Sequence, residues 1–184
     1  KVLFYIGNST NDIGKKSSAF IPEIHIAPVE LQSPAGNLKM DMIPFVYNSL
    51  YSIKDIDDPD HAIQTLKEFQ YLVCAEPGHL AEKEIEVTEA IKKQVKIFGY
   101  VHMGGKPLPS LEDIKKEVDN IQQHGWYGVF IDQFGYDFGE TRLRQNTLVD
   151  YVHSKGLKCF VNCWFIDDAF ARAPKQIHNP DGLP

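Results

Sequence analysis

Polar and aromatic residues follow the apolar segments of this 184-residue chain at a regular interval. In the segment 127–140, an unbroken apolar run ends abruptly at Asp132 and Gln133. Equivalent residues end four other apolar segments: Tyr47 and Asn48, Glu76, Tyr100 and His102, and Asn162 and Trp164. Successive groups lie about 30 residues apart, which is the length of one strand with its following helix. Carboxylate, amide, imidazole and aromatic side chains that meet at one place can transfer protons, bind hydroxyl groups and stack on sugar rings.

The segments between these residues predict strands that alternate with helices from residue 41 onwards. Apolar runs predict five strands, in residues 42–50, 70–78, 95–105, 126–135 and 157–165. Capping residues and charge patterns predict four helices, in residues 58–69, 80–94, 109–125 and 141–156, with Ser110 as the N-cap of the third. Units of this length make parallel sheets, and unbroken apolar runs indicate strands covered on both faces. The sequence therefore predicts an α/β fold.

Two kinds of α/β fold place polar residues at the carboxyl ends of parallel strands. In a (βα)8 barrel these ends form the rim where active sites are built. A doubly wound sheet uses the same edge, but its first loop usually carries a glycine-rich phosphate cradle. Gly78, Gly104 and Gly105 lack the spacing of such a cradle. We therefore predict the first five βα units of a (βα)8 TIM barrel in residues 41–184.

Residues 1–40 differ from the rest of the chain. They carry extended, proline-containing apolar segments separated by a polar stretch, and residues 32–37 are typical of a linker or turn. We predict a β-rich arm, or the end of a preceding module plus a linker, through which the protein assembles with a partner. Because the chain starts at Lys1 and ends in a loop-like stretch, it is expected to belong to a longer polypeptide.

The composition argues against several kinds of partner. A net charge of −6 argues against nucleic acid. No apolar run reaches the roughly 20 residues that a membrane span needs. Cys74, Cys159 and Cys163 lie in apolar runs without metal-ligand spacing, and the histidines show no such spacing either. We therefore predict buried thiols, no metal site and no membrane partner.

Four segments carry a resemblance to a known family: "VCAEPG" at the second strand, "VKIFGYVHMG" at the third, "YGVFIDQ" at the fourth and "CFVNCW" at the fifth. In order and spacing, the stretch from Met42 to Asn162 resembles the spherulin-4-like glycoside hydrolases. It is similar, more loosely, to the endo-α-1,4-polygalactosaminidases, and both groups are (βα)8 barrels. The resemblance implies hydrolysis of a galactosamine or N-acetylgalactosamine polysaccharide without a cofactor.

The resemblance also implies roles for individual residues. It places Asp132 at the catalytic carboxylate position, whereas Gln133 stands where the family usually has an acid. Glu76 stands where the family tends to have an asparagine, and the second carboxyl group is expected from Glu76 or Asp168. The sugar is expected to contact these residues: Tyr47, Tyr100, His102, Gln133, Asn162 and Trp164.

The carboxylates near the fourth strand also have structural interpretations. The alternative for Asp132 is a residue that caps the next helix or pairs with Arg142 or Arg144. Asp137 and Glu140 are expected in a solvated loop and helix start, where acidic residues are favourable.

Three functions remain open at this point. The first is a glycosidase on an amino-sugar polymer, with Asp132 central. The second is a barrel without catalysis that binds surface glycans, which the amide of Gln133 favours. The third is a structural segment, for example of a virion tail fibre, that assembles through residues 1–40. We expect an extracellular, cell-surface or virion-associated protein.

Overall fold

The structure, a computed structural model, describes residues 3–4, 30–33, 36–39, 45–46, 59–170 and 177–183. The chain divides into two compact units. The larger comprises residues 1–6 and 43–184, and the smaller comprises residues 7–42. In the smaller unit, β2 (Glu30–Ser33) and β3 (Gly36–Lys39) pair in antiparallel fashion. The assembly role predicted for residues 1–40 stays a prediction.

The larger unit is built on a six-stranded sheet in which every described strand pair is parallel. Its strands are β1 (Leu3–Phe4), β4 (Phe45–Val46), β5 (Tyr71–Ala75), β6 (Lys96–His102), β7 (Gly128–Asp132) and β8 (Lys158–Val161). Their order across the sheet is β1-β8-β7-β6-β5-β4. Five strands therefore lie side by side in chain order, and β1 joins the sheet on the far side of β8.

Four described helices connect the strands of the larger unit from β4 to β8, and a fifth follows β8. They are α1 (Pro59–Leu66), α2 (Glu82–Ile91), α3 (Leu111–Gln123), α4 (Arg142–Ser154) and α5 (Ile166–Phe170), with short 3-10 turns at Pro77–His79 and Tyr136–Phe138. Ser110 caps α3 as predicted, because its hydroxyl oxygen accepts a hydrogen bond from the Asp113 backbone N–H (3.1 Å). Gly125 and Gly156 follow α3 and α4 with positive φ, a conformation that glycine adopts without steric cost.

Both faces of the central strands are buried. One face packs against the helices in a cluster that includes Leu72, Ile97, Val101, Val129, Ile131, Val87, Ile91, Ile114, Val118, Ile121 and Leu148. On the other face, Val73, Phe98, Phe130 and Phe160 form a separate buried cluster. The Phe160 ring meets Phe130 edge-on with centroids 5.0 Å apart, and it meets Phe98 in the same way at 5.8 Å. The unbroken apolar runs thus correspond to strands covered on both sides, as the sequence predicted.

The predicted alternation of strands and helices, and their parallel arrangement, are confirmed for the described residues. The strands are shorter than predicted, and the last of them ends at Val161. None of the described helices is long and apolar enough to cross a membrane. Closure into an eight-stranded barrel and the exact number of five units stay predictions.

Candidate functional site

Asp132 ends β7, and the polar residues beside it share one face of the sheet. Residues two apart in a strand point to the same side. Tyr100 and His102 therefore lie on the face of Phe98, and Asp132 lies on the face of Phe130. The strand register pairs His102 with Asp132. A polar layer thus stands directly beyond the aromatic layer, at the carboxyl edge of the sheet.

Three hydrogen-bond donors hold the half-buried carboxylate of Asp132. The Tyr100 hydroxyl donates to Oδ2 (2.7 Å), and the Asn162 side-chain amide donates to Oδ1 (2.8 Å). The Gln133 backbone N–H also donates to Oδ1 (2.9 Å). The Tyr100 ring stacks on Phe130 with centroids 5.8 Å apart, which holds its hydroxyl in place. The fold therefore brings together side chains from three neighbouring strand ends, as the sequence spacing predicted.

In the described contacts, Asp132 neither caps α4 nor pairs with Arg142 or Arg144. The hydroxyl of Thr141 caps α4 by accepting from the Arg144 backbone N–H (3.3 Å). The Arg144 guanidinium pairs with Glu140 (2.9 Å), and Arg142 donates to the Ala169 carbonyl (3.1 Å). The two arginines of α4 thus bind other groups, and Asp132 is held by uncharged donors.

Gln133 adopts an unusual backbone conformation directly beside the carboxylate. Its φ is +55°, in the left-handed region that residues other than glycine rarely occupy. Gly104, in the loop after β6, lies against this turn, and a Cβ atom there would come within 2.6 Å of the Gln133 carbonyl oxygen. A Cβ atom at Gly105 would lie 3.2 Å from Nε2 of His102. These glycines therefore allow close packing around the site. The unfavourable backbone conformation of Gln133 sets the direction of its side chain.

Glu76, the predicted second carboxylate, has its described contacts with α3. It is almost fully buried, and the Asn120 side-chain amide donates to its Oε2 (3.0 Å). His79 in the following 3-10 turn places Nδ1 3.6 Å from Oε1. Burial, and then repulsion from Glu76, raises the pKa of Glu117 on α3 above its ordinary value. Glu76 thus links β5 to α3, and its catalytic role stays a prediction.

Asp168, the other predicted partner, contacts the loop after β7. Its Oδ2 accepts a hydrogen bond from the Tyr136 backbone N–H (3.1 Å), at the start of the second 3-10 turn. A Cβ atom on Gly135 would lie 3.1 Å from the same oxygen, so the segment after β8 packs closely on this loop. Asp168 therefore ties together the loops that follow β7 and β8, and its catalytic role also stays a prediction.

Glu140 corrects one expectation from the sequence. It was predicted to be solvated, but its side chain is fully buried. Burial raises its pKa above the ordinary range, and the hydrogen bond from Arg144 opposes that shift. Arg144 also donates to the Pro109 carbonyl (2.9 Å), so the pair joins the loop after β7 to the loop after β6. The four-residue spacing of Glu140 and Arg144 was the available signal for this pair. Asp137 is exposed as expected.

Trp164 lies between β8 and α5, at the carboxyl edge of the sheet. Its side chain is 67% exposed, and its ring is tilted against Phe138 with centroids 6.2 Å apart. Phe165 and Ile166, which follow it, are also exposed. Tyr136, by contrast, is stacked on His178 with centroids 5.1 Å apart. Trp164 and Phe165 are therefore aromatic side chains of this loop that a ligand can reach. Tyr47, a predicted sugar contact, lies outside the described residues.

The cysteines are placed for packing. Cys74 and Cys159 are buried in the sheet, as predicted, and Cys163 is half-buried. Burial raises the pKa of Cys159 to about 12, and burial with repulsion from Asp168 raises that of Cys163 to about 11. Within the described parts of the chain, no group of three histidine, cysteine or acidic residues is arranged to hold a metal ion.

No protein-family model matches this chain, and no curated protein matches it. Among solved structures, the glycoside hydrolase domain of PelA from Pseudomonas aeruginosa is 17% identical over 72% of this chain and 62% of that one, with a TM-score of 0.42. A variant of the same domain is 16% identical over 66% of this chain and 59% of that one, with a TM-score of 0.39. A β-arabinopyranosidase is 17% identical over 64% of this chain and 22% of that one, with a TM-score of 0.43.

This chain therefore spans about three-fifths of the PelA domain and about a fifth of the β-arabinopyranosidase. At these identities and TM-scores the likeness carries no conclusion about activity. The function rests on the geometry around Asp132.

Proposed function

We propose that the chain carries a glycoside hydrolase-like site that acts on an amino-sugar polysaccharide, with Asp132 as its chief carboxylate. The observation that supports this proposal is the position of Asp132 at the carboxyl edge of a parallel sheet, where three donors fix both of its oxygens. Active sites of α/β folds are built at this edge. A carboxylate held in one orientation is suited to act as nucleophile or general base at a sugar carbon.

The surrounding side chains suit a sugar more than a phosphorylated ligand. Tyr100, Asn162 and His102 offer hydroxyl, amide and imidazole groups, and Trp164 offers an exposed flat ring. The guanidinium groups of Arg142 and Arg144 are engaged in contacts elsewhere in the loops. Tyr47 and Gln133 complete the proposed sugar contacts.

Glycoside hydrolysis also requires a second carboxyl group. Its separation from the first is about 5–5.5 Å in retaining enzymes and about 6.5–9.5 Å in inverting ones. We propose Glu76 or Asp168 for this role, as the sequence suggested. Both carboxylates have structural partners: Glu76 accepts from Asn120, and Asp168 accepts from the Tyr136 backbone N–H. Either one would have to reach the substrate while it keeps these contacts.

A second candidate function is a glycan-binding module without turnover. It is favoured by the engagement of Glu76 and Asp168 in structural hydrogen bonds, and by the amide at Gln133, which cannot donate a proton as an acid. In either case we propose an extracellular, cell-surface or virion-associated protein that assembles through residues 1–40.

Release of reducing ends from acetylated and deacetylated galactosamine polymers tests the proposal. The parent protein is compared with Asp132→Asn, which keeps the shape of the side chain and removes its charge. Asp150→Asn, an exposed residue on α4, is the matched control. We expect turnover by the parent and by Asp150→Asn, and loss of turnover with retained polymer binding in Asp132→Asn. Polymer binding without release by any of the three proteins would instead identify a binding module.

A further inference from the structure

An exposed apolar surface lies immediately beyond the Asp132 site. It consists of Trp164, Phe165 and Ile166, whose side chains are 67%, 59% and 55% exposed, together with the half-buried Phe138. We call it the Trp164 platform. Three consecutive exposed apolar residues, here at the end of a loop and the start of α5, are unusual on a solvated surface, and apolar surface of this kind marks a binding region.

The platform is held in a fixed relation to the carboxylate. Trp164 lies two residues after Asn162, whose side chain donates to Asp132. Two residues of extended chain reach at most about 7 Å. The Asn162 carbonyl also accepts a hydrogen bond from the Phe134 backbone N–H (2.9 Å), which joins the two loops. The platform therefore follows the site directly along the chain and is joined to the loop after β7.

The Phe138 side of the platform is anchored as well. The Phe138 carbonyl accepts a hydrogen bond from the Gly105 backbone N–H (2.9 Å), in the loop after β6. Asp168 holds the Tyr136 backbone N–H at the start of the same 3-10 turn. The backbone of the turn that carries Phe138 is therefore held in place before a ligand arrives, which lowers the entropic cost of binding.

The groups around the platform indicate a polar ligand with apolar faces. Asp137 beside Phe138 and Asp167 beside Ile166 are exposed acceptors, and Lys106 in the loop after β6 is an exposed donor. A lipid or an apolar protein segment would leave these charges near its buried surface at a cost in desolvation. A sugar ring presents C–H faces to aromatic rings and hydroxyl groups to carboxylates.

We propose that the Trp164 platform is a second sugar subsite, separate from the one at Asp132, that binds a further residue of the same polysaccharide chain. This inference rests on the proposed function and extends it, because it requires affinity to rise with chain length. A monosaccharide or disaccharide at Asp132 fills the first subsite. A longer oligomer also covers Trp164.

The two tryptophans of the chain allow a direct test by fluorescence. Trp126 is 4% exposed and Trp164 is 67% exposed, so iodide quenches the emission of Trp164 selectively. The probes are α-1,4-linked galactosamine oligomers of two and of seven residues. We expect the heptamer to protect the emission from iodide and the dimer to leave quenching unchanged. Isothermal titration calorimetry measures affinity in variants that lack this fluorophore. We expect Trp164→Ala to weaken heptamer binding about 5- to 10-fold and dimer binding less than about twofold.

Leu143→Ala provides the control, since Leu143 is a comparably exposed apolar residue on α4. Trp164→Phe keeps a ring and should retain most of the heptamer affinity. If the parent binds both oligomers and Trp164→Ala weakens neither, or weakens both equally, the subsite proposal is wrong while the proposed function stands. If the parent binds neither these oligomers nor their N-acetylated forms, both are wrong.

Discussion

At the scale of single residues, the chemistry of Asp132 is set by its three donors. Each donor is supplied by a different part of the fold: β6, the turn after β7 and the residue after β8. Two of them are side chains, and the third is the backbone N–H of Gln133, the residue that directly follows Asp132. The orientation of the carboxylate thus depends on donors from three separate parts of the fold.

The Tyr100 hydroxyl is the donor whose contribution can be removed most cleanly. In Tyr100→Phe the ring keeps its stacking on Phe130, while Oδ2 of Asp132 loses its donor. Under the proposed function we expect kcat to fall about 10- to 100-fold, because looser orientation of the proposed reacting carboxylate costs rate rather than binding. KM should change much less. Steady-state kinetics on the polymer measures both quantities.

Tyr127→Phe is the matched control for this variant. Tyr127 lies just before β7, at the opposite edge of the sheet, so its hydroxyl is remote from the carboxylate. Its kinetics should equal those of the parent. Equal kcat for Tyr100→Phe and the parent would show that the hydroxyl does not position Asp132.

At the scale of elements, the charge of Glu117 opposes the packing of α3 against the rest of the protein. Glu117 on α3 is half-buried near Glu76, and its pKa is raised by burial and then by repulsion from that carboxylate. A raised pKa in the folded state means that full stability is present below about pH 4.5 and is partly lost as the pH rises through the raised value. Glu117→Gln removes this loss.

We therefore expect Glu117→Gln to stabilise the protein at pH 7 by a few tenths of a kcal/mol and to have little effect at pH 4. Urea unfolding at the two pH values measures the difference. Glu112→Gln, on the exposed side of the same helix, is the control and should not stabilise at pH 7. A stability gain for Glu117→Gln that is equal at both pH values would rule out charge as its cause.

Two glycines in neighbouring strands predict different costs for the same substitution. A Cβ atom on Gly128 would clash with the backbone carbonyl oxygen of Lys158 in β8, which cannot move without breaking the sheet. A Cβ atom on Gly99 would meet the Ile121 side chain at 2.5 Å, and a side chain can change its rotamer. We expect Gly128→Ala to destabilise by about 3 kcal/mol or more and Gly99→Ala by about 1–2 kcal/mol. Thermal and urea unfolding measure both, and the reverse order would contradict this account.

The elements also show what the sequence could and could not predict. The apolar runs and caps predicted the strands, the helices and their parallel arrangement, because both depend on local pattern. The common edge of Asp132, Tyr100 and Asn162 followed from the regular spacing. The contacts of Glu76 with Asn120, and the burial of Glu140, depend on how a helix is rotated against the sheet. That rotation is decided by side-chain packing over long sequence distances.

At the scale of the whole molecule, the two outermost strands of the described six-stranded sheet are separated by the smaller unit in the chain. β4 forms one edge, and β1 forms the other through parallel pairing of Leu3 with Phe160 and of Phe4 with Val161. Residues 7–42, between β1 and β4, form the smaller unit. The first residues of the chain thus contribute to the sheet that carries the site, whereas the described strands of the smaller unit, β2 and β3, pair in a separate two-stranded sheet.

Replacement of residues 7–42 by a flexible linker tests this division. The edges of the sheet are five strand spacings apart, about 24 Å if the sheet were flat. A Gly/Ser linker of about 20 residues has a mean span of about 25 Å, so it can join β1 to β4. We expect the linked protein to unfold cooperatively and to keep any Asp132-dependent release of reducing ends, while assembly through the arm is lost.

Deletion of residues 1–42 is the informative comparison, because it also removes β1. The edge of β8 then loses its partner and exposes unpaired backbone groups, which lowers stability and promotes aggregation. We expect a lower urea midpoint for this deletion than for the linked protein. If the two proteins unfold at the same midpoint, β1 adds nothing to the sheet. If the linked protein fails to fold, residues 7–42 are part of the structure that supports the site.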